Sequence, residues 1–204
     1  SGDLFSSFEE APTGVGELIG LVSAGVILLL AFGSLIAMGL PIGMALFGLA
    51  FGITSMGLVT YLIEIPSWAP DMATMIGLGV GIDYALFLLT RHREFLSEGY
   101  GVVESAGRAV ATAGKAVIFA GGTVVIAILG LAVAGLPFMT AAGVATSVVV
   151  GVMVVASVTL LPAFLGLAGE RLNRSRIRRR PVGEMGRGWT RWGEHVSRNA
   201  WPYA

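Results

Sequence analysis

The 204-residue chain is 55% hydrophobic and only 13% charged, whereas soluble domains carry about 25% charged residues. It has no cysteine and two histidines, His92 and His195. Disulfides and thiolate metal sites are therefore excluded, and a histidine metal site lacks ligands. More than half of its 30 glycines lie within apolar runs, which is typical of helices that pack closely in lipid. These features predict a membrane protein that has no cofactor and no nucleic-acid partner.

Five apolar stretches are long enough to cross the membrane, since about 20 residues span about 30 Å of hydrocarbon. They are residues 18–38, 41–63, 69–90, 116–134 and 138–168. The pattern predicts an all-α integral membrane fold, a five-helix transmembrane bundle. A tight turn is expected at residues 39–41, because Pro41 would suit the first turn of the second helix.

The third and fourth stretches are joined by the longest connection, residues 91–115. Charged and apolar residues are interspersed there, which predicts a short amphipathic helix at the membrane interface. The chain after residue 168 is rich in arginine and then carries Trp189, Trp192 and Trp201. Tryptophans of this kind are typical of a membrane interface close to a further span.

Charge is distributed asymmetrically when alternate loops are assigned to opposite sides of the membrane. All 13 basic residues fall on one side, which is the cytoplasmic side by the positive-inside rule. The other side carries acidic residues alone: Asp3, Glu9, Glu10, Glu17, Glu64 and Asp71. We therefore expect an outer start and a cytoplasmic end in the plasma (inner) membrane. The basic tail is interpreted as topogenic, with an anionic-lipid site as the alternative.

This topology divides the chain into three parts: residues 1–17 as an extracytoplasmic lead-in, 18–168 as the transmembrane domain, and 169–204 as a cytoplasmic linker. The chain begins without methionine and, on this topology, outside the membrane. We therefore expect it to be part of a longer protein, with an earlier span or an extracytoplasmic domain before it.

Asp83 is the single acidic or basic residue deep inside any of the five stretches. Along a helix it lies about 12 Å from Arg91 and about 18 Å from Asp71. A charge at this depth is costly, so Asp83 is expected to face a bundle interior or a wet cavity. A low dielectric favours the neutral carboxyl, which suits a group that takes up and releases a proton. The alternative is that Asp83 only ties helices together by hydrogen bonding.

Several neighbours are candidates to assist Asp83. The phenol of Tyr84 can donate a hydrogen bond to a carboxylate, and Phe87 lies one turn further on. Gly77, Gly79 and Gly81 leave space for close helix contact. No strand precedes these glycines and no phosphate-binding lysine follows them, so ATP binding is not indicated.

The fourth stretch carries one further candidate. Thr123 lies as far from Lys115 as Asp83 does from Arg91, so the two are expected at equal depth. Thr123 is a possible relay hydroxyl, and helix packing is its alternative role.

Six motifs in order resemble the MMPL branch of the RND superfamily. They are residues 17–20 (ELIG), 32–34 (FGS), 77–84 (GLGVGIDY), 91–94 (RHRE), 109–117 (AVATAGKAV) and 161–163 (LPA). The resemblance extends over nearly the whole chain up to Arg180. Such proteins have twelve spans in two similar halves and two extracytoplasmic porter domains. The resemblance implies that this chain holds spans two to six of the first half.

The resemblance also implies a function, namely proton-driven export of lipids or hydrophobic small molecules and drugs. In that reading Asp83 and Tyr84 form one of two proton-relay pairs. Many members carry serine where this sequence has Ala120, and Thr123 is the candidate substitute. The implied partners are membrane lipids, a hydrophobic cargo, the second transmembrane half, the porter domains and a second copy in a homo-oligomer.

Three other function classes compete with transport. The five-span unit is similar to a sterol-sensing domain, which would bind lipid without moving it. A passive module has no need of a deep titratable group, so Asp83 with Tyr84 favours transport. An ion channel would need polar rings across several spans, and an enzyme would need a nucleophile with a partner base. The sequence shows neither.

The predicted topology can be tested because the chain has no cysteine. Single cysteines at Gly14 and Pro66 should react with an impermeant thiol reagent added outside intact cells. Cysteines at Glu98 and Ser175 should react only after the membrane is opened, because the basic residues cluster on that side. Labelling of the Glu98 position from outside would contradict the topology.

Overall fold

The computed structural model describes residues 15–169 and 187–198. Seven α-helices occur there: α1 (Val15–Phe32), α2 (Leu35–Val59), α3 (Ala69–Ser97), α4 (Val102–Ala109), α5 (Lys115–Leu129), α6 (Pro137–Ala168) and α7 (Arg187–Arg198). A π-helical segment, Val110–Gly114, joins α4 to α5, and a 3-10 turn, Gly130–Ala134, follows α5. These ranges contain no strand. The prediction of an all-α membrane fold is confirmed.

Four of the helical stretches are long and apolar enough to cross a membrane: Leu35–Val59, Ala69–Ser97, Val102–Ala134 and Pro137–Leu167. The apolar part of α1, Leu18–Phe32, is shorter. Its 15 residues would cover about 22 Å of the roughly 30 Å of hydrocarbon. The chain is therefore a multi-pass membrane protein.

The turn between the first two helices was predicted at the wrong place. The chain breaks at Gly33 and Ser34, where Gly33 has a φ of 60° that favours glycine. The buried Ser34 hydroxyl then accepts a hydrogen bond from the Ala37 N–H at 3.4 Å and caps α2. Pro41 lies inside α2 instead of at its start. We call residues 32–34 the elbow.

The connection between the third and fourth spans also differs from the prediction. Helix α3 runs on to Ser97, past the expected end at Thr90. The amphipathic helix is present as α4, but it continues through the π-helical segment directly into α5. It is therefore the first part of one long helix, and its buried face, which includes Ser105 and Ala109, packs on α3 and α6.

Helix α6 is the centre of the bundle and packs against α2, α3, α4 and α5. Its buried Val149 and Met153 lie where two neighbouring helices lack side chains. A β-carbon added at Gly52 of α2 would lie 3.0 Å from Val149 Cγ1, and one added at Gly77 of α3 would lie 3.1 Å from the same atom. Glycines at these positions therefore allow three helices to meet closely.

Met153 occupies a matching gap one turn further along. A β-carbon at Gly48 would lie 2.8 Å from the Met153 sulfur. At Gly81 it would collide with the Met153 methyl group and lie 3.4 Å from the backbone Cα of Ala45. The sequence prediction of close contact at Gly77 and Gly81 thus has a structural basis, whereas Gly79 is exposed and has open space around it.

Several predictions fall on residues outside the described ranges. They concern the acidic lead-in before residue 15, the arginine-rich tail at 170–186, Trp201, and the labelling sites Gly14 and Ser175. The three-part division of the chain stays a prediction.

The packing at α6 predicts how glycine substitutions will differ. Gly77→Leu and Gly81→Leu should each destabilise the folded protein by about 1 to 3 kcal/mol, because added side chains overpack the contact with α6. Gly57→Leu is the matched control, since nothing lies within 4 Å of a β-carbon there. Thermal unfolding of the purified full-length variants measures the difference, and equal melting temperatures at all three sites would contradict it.

Candidate functional site

Helix α3 presents two opposite faces. Gly77, Gly81 and Ala85 are buried against the bundle, whereas Gly79 and Asp83 are exposed. Successive residues differ by about 100° around an α-helix, so burying Gly81 directs Asp83, two residues on, to the far side. The expectation that Asp83 faces a bundle interior is therefore not met by these helices alone.

Phe87 shares the exposed face with Asp83 and is 42% exposed. Gly79 lies one turn before Asp83 on the same face, and Phe87 lies one turn after it. A β-carbon at Gly79 would meet nothing within 4 Å. Asp83 itself forms no hydrogen bond or ion pair with another described residue. The carboxyl group lies on an otherwise apolar face that is open to a partner.

Tyr84 points in a different direction from Asp83. It is half-buried and packs against the core cluster that contains Leu88 and Val117. A β-carbon added at Gly121 of α5 would lie 3.4 Å from both Cε2 and Oη of Tyr84. Gly121 therefore leaves room for the phenol between α3 and α5. The structure brings Tyr84 to α5 and leaves Asp83 outside.

Thr123 of α5 is exposed, as Asp83 is. Its hydroxyl donates a hydrogen bond to the Ala120 carbonyl oxygen at 2.7 Å, which is a common way for threonine to be satisfied within a helix. No contact between Thr123 and Asp83 is formed by the described residues. A relay role for Thr123 stays a prediction.

Two buried polar groups were not predicted as functional residues from the sequence, and Ser147 was interpreted there as a packing residue. His92 of α3 is fully buried, and Ser147 of α6 is 7% exposed. Neither ring nitrogen of His92 nor the Ser147 hydroxyl has a hydrogen-bond partner among the described residues. The only sequence signal for the burial of His92 is its spacing. It lies seven residues after Ala85 and four after Leu88, which places the three residues on the same face of the helix. The described residues form no group of three or more histidine, cysteine or acidic side chains that suits a metal ion.

The arginines at the end of α3 have distinct partners. Arg91 forms a 2.7 Å ion pair with Glu94 on the exposed surface. Arg93 instead reaches the elbow, where its Nη1 donates a 3.4 Å hydrogen bond to the Phe32 carbonyl oxygen. The Arg93 guanidinium carbon also lies 5.1 Å from the centroid of the Phe32 ring. The RHRE motif was noted in the sequence, but the motif alone does not show that its two arginines have different partners.

The fold and the candidate site define a multi-pass membrane protein with a carboxyl group in the middle of an apolar helix. The chain belongs to the MMPL family, which it matches over residues 3–203. This confirms the resemblance seen in the sequence.

Three relatives illustrate the match. The chain is 45% identical over 159 residues, 78% of its length, to membrane protein YdfJ of Bacillus subtilis. It is 32% identical over 162 residues, 79% of its length, to the trehalose monomycolate exporter MmpL3 of Mycobacterium tuberculosis. It is 34% identical over 187 residues, 88% of its length, to the mycolic acid-containing lipids exporter MmpL11 of Mycolicibacterium smegmatis. The aligned region covers 22%, 17% and 19% of these relatives, respectively.

The chain thus spans about a fifth of the length of the relatives that it matches. Two of the three are named as exporters and none as an enzyme, in agreement with the prediction of a transport protein rather than an enzyme.

Substitution of Gly121 tests whether the Tyr84 ring needs the space that this glycine leaves. Gly121→Val should destabilise the protein by about 1 to 3 kcal/mol, because a β-carbon there meets both Val154 and the Tyr84 ring and must displace one of them. Gly122→Val should change stability by about 0.5 kcal/mol or less, because the neighbouring glycine has open space. Thermal unfolding of both variants checks this, and equal effects would show that Tyr84 is not confined by α5.

Proposed function

We propose that this chain is the membrane-embedded part of a secondary transporter that exports lipids or hydrophobic small molecules, driven by the proton gradient. The observation that carries the proposal is Asp83, a carboxyl group on the exposed face of the apolar helix α3. Family membership and the names of the MmpL3 and MmpL11 relatives support a lipid as cargo.

In this proposal the position of Asp83 in an apolar helix lets its carboxyl group exchange a proton during transport. A carboxylate in hydrocarbon costs on the order of 3 kcal/mol on insertion scales, and more in simulations. The neutral acid is therefore favoured while lipid or apolar protein covers the face, and the charged form is favoured once water or a polar group reaches it. Alternating cover and access would let Asp83 load a proton on one side and release it on the other.

The surroundings of Asp83 fit a partner outside these helices. The open space at Gly79 and the exposed face of Phe87 leave room for another helix surface. We propose that the second transmembrane half of the full-length protein covers this face. Porter domains, lipid cargo and a second copy are further proposed partners, and no cofactor besides the proton gradient is required.

We propose that Tyr84 belongs to the proton relay with Asp83 and acts on it through its phenol. Its phenol packs at Gly121, so a shift of α5 relative to α3 would move the hydroxyl relative to the adjacent carboxyl group. A hydrogen bond from a phenol favours the charged carboxylate. Movement of α5 would then alter the proton affinity of Asp83, with Thr123 as a possible second hydroxyl.

The proposal includes an orientation. Residues 1–17 would lie outside the plasma (inner) membrane, residues 18–168 would cross it, and residues 169–204 would be cytoplasmic. The exposed Lys115 and the Arg91–Glu94 and Arg108–Glu104 ion pairs lie at the helix ends assigned to the cytoplasm. Asp71 and Glu64 lie exposed at the opposite ends. This arrangement agrees with the positive-inside rule.

Replacing Asp83 with asparagine tests proton exchange while leaving the packing of the side chain unchanged. Asp83→Asn in the full-length protein should abolish export while leaving membrane insertion near normal, because asparagine keeps the shape of a protonated aspartate but releases no proton. Tyr84→Phe should lower export by about two- to tenfold, the effect of losing the one hydrogen bond to Asp83 that the proposal gives to the phenol during transport. Cargo efflux and cargo-coupled proton flux in proteoliposomes measure both.

Asp71→Asn is the matched control, since it removes a carboxylate from the exposed outer end of the same helix. It should export at the wild-type rate. Proton-driven export by Asp83→Asn at that rate would refute the relay. Lipid binding without export in the wild-type protein would favour a sterol-sensing-like module instead.

A further inference from the structure

One side chain from the far end of α3, Arg93, contacts the elbow. The last carbonyl groups of an α-helix have no intrahelical partner, and Phe32 is the last residue of α1. Arg93 donates to that carbonyl oxygen at 3.4 Å and lies over the ring of the same residue. One arginine thus contacts both the backbone and the side chain of Phe32.

Three physical effects favour this contact. The hydrogen bond satisfies an orphan carbonyl, the positive charge lies at the negative end of the α1 dipole, and the guanidinium carbon is 5.1 Å from the centroid of the Phe32 ring, within the range of a cation–π interaction. Both residues are only partly exposed, so water screens the contact less than it screens the surface pair Arg91–Glu94.

The contact matters because α1 has few other anchors. Its extensive packing is with α2, and the elbow between them turns at a glycine. Helix α3, in contrast, is fixed by both α2 and α6 and carries Asp83 ten residues before Arg93. Phe32 also packs against the buried cluster that contains Leu88 and Leu89 of α3, and Arg93 adds a polar contact from α3 to the same residue.

We infer that Arg93 is a positioning residue that couples the proton-carrying helix α3 to α1 through the Phe32 carbonyl and ring. Under the proposed orientation α1 leads back to the extracytoplasmic part of the protein. Movement of α3 on protonation of Asp83 would thus be passed across the membrane by α1. This inference rests on the proposed function, whereas the physical link between the two helices does not.

The experiment compares two arginines on one helix in the full-length protein. Arg93→Gln should lower export by about tenfold, within the range typical of residues that carry coupling between sites. Arg93→Lys should recover part of the loss, because it keeps the cation near the carbonyl and ring. Arg91→Gln removes the same charge two residues away, touches only the exposed pair with Glu94, and should leave export unchanged.

A distance measurement tests the link without any transport. Spin labels on cysteines at Ser23 of α1 and Met75 of α3, both exposed, report the separation of the two helices by pulsed electron paramagnetic resonance. The distance distribution should be narrow in the wild-type protein and in Arg91→Gln, and broad in Arg93→Gln. Phe32→Leu, which keeps the carbonyl but removes the ring, should give an intermediate width.

The outcomes separate the inference from the proposed function. A narrow distribution in Arg93→Gln, or export equal to wild type, overturns the coupling role. Loss of export in Arg93→Gln with a narrow distribution also overturns it, since the arginine would then act elsewhere. If the distance distribution is broad in Arg93→Gln but Asp83→Asn still exports, the link between α1 and α3 is upheld and the proton relay is refuted. If Arg93→Gln does not fold, the widths of Arg93→Lys and Phe32→Leu decide the matter.

Discussion

The arrangement of the bundle depends on two side chains of α6 that fill gaps left by four glycines. Val149 lies between Gly52 and Gly77, and Met153 lies between Gly48 and Gly81. Without a hydrophobic driving force between helices in lipid, such close packing is what holds a membrane bundle together. Because α3 can approach α6 and α2 only on its glycine face, its rotation about its own axis is fixed.

That rotation determines where the chemistry lies. With Gly77 and Gly81 directed inward, Asp83 and Gly79 are directed outward, and Tyr84 is turned toward Gly121 of α5. A carboxyl group on the outer face can be reached by a second protein surface without unpacking the core. In the proposed function, packing and proton exchange would thus lie on opposite sides of one helix.

Much of the fold could be predicted from the sequence. Each of the five predicted apolar runs corresponds to a helix: four are long enough to cross a membrane, and the apolar part of α1 is shorter. The first residue of α3 and the last residue of α6 coincide with the predicted ends of their spans. Asp83 stood out because no other acidic or basic residue lies so deep in an apolar run. Charge and hydropathy are local properties of the chain, so these features need no knowledge of tertiary contacts.

The wrong predictions concern places where a local sequence pattern and a tertiary contact favour different structures. Pro41 suggested a helix start, but α2 is capped by Ser34, seven residues earlier, and the proline is buried within the helix. The orientation of Asp83 was missed because α3 is apolar all round and its glycines recur every two residues. Such spacing places glycine on both faces, and only contact with Met153 identifies which face is inward.

The π-helical segment between α4 and α5 has a consequence for how the chain tolerates change. Buried positions Ala109, Ala113, Val117 and Gly121 recur every four residues, a spacing that drifts by about 40° per step in a regular α-helix. The wider π turn absorbs part of this drift and keeps Gly121 in line with Tyr84. Removing one residue from Val110–Gly114 would rotate all of α5 by about 100° and present a different set of side chains to α3. The length of this segment, rather than its composition, therefore sets which residue of α5 meets the phenol.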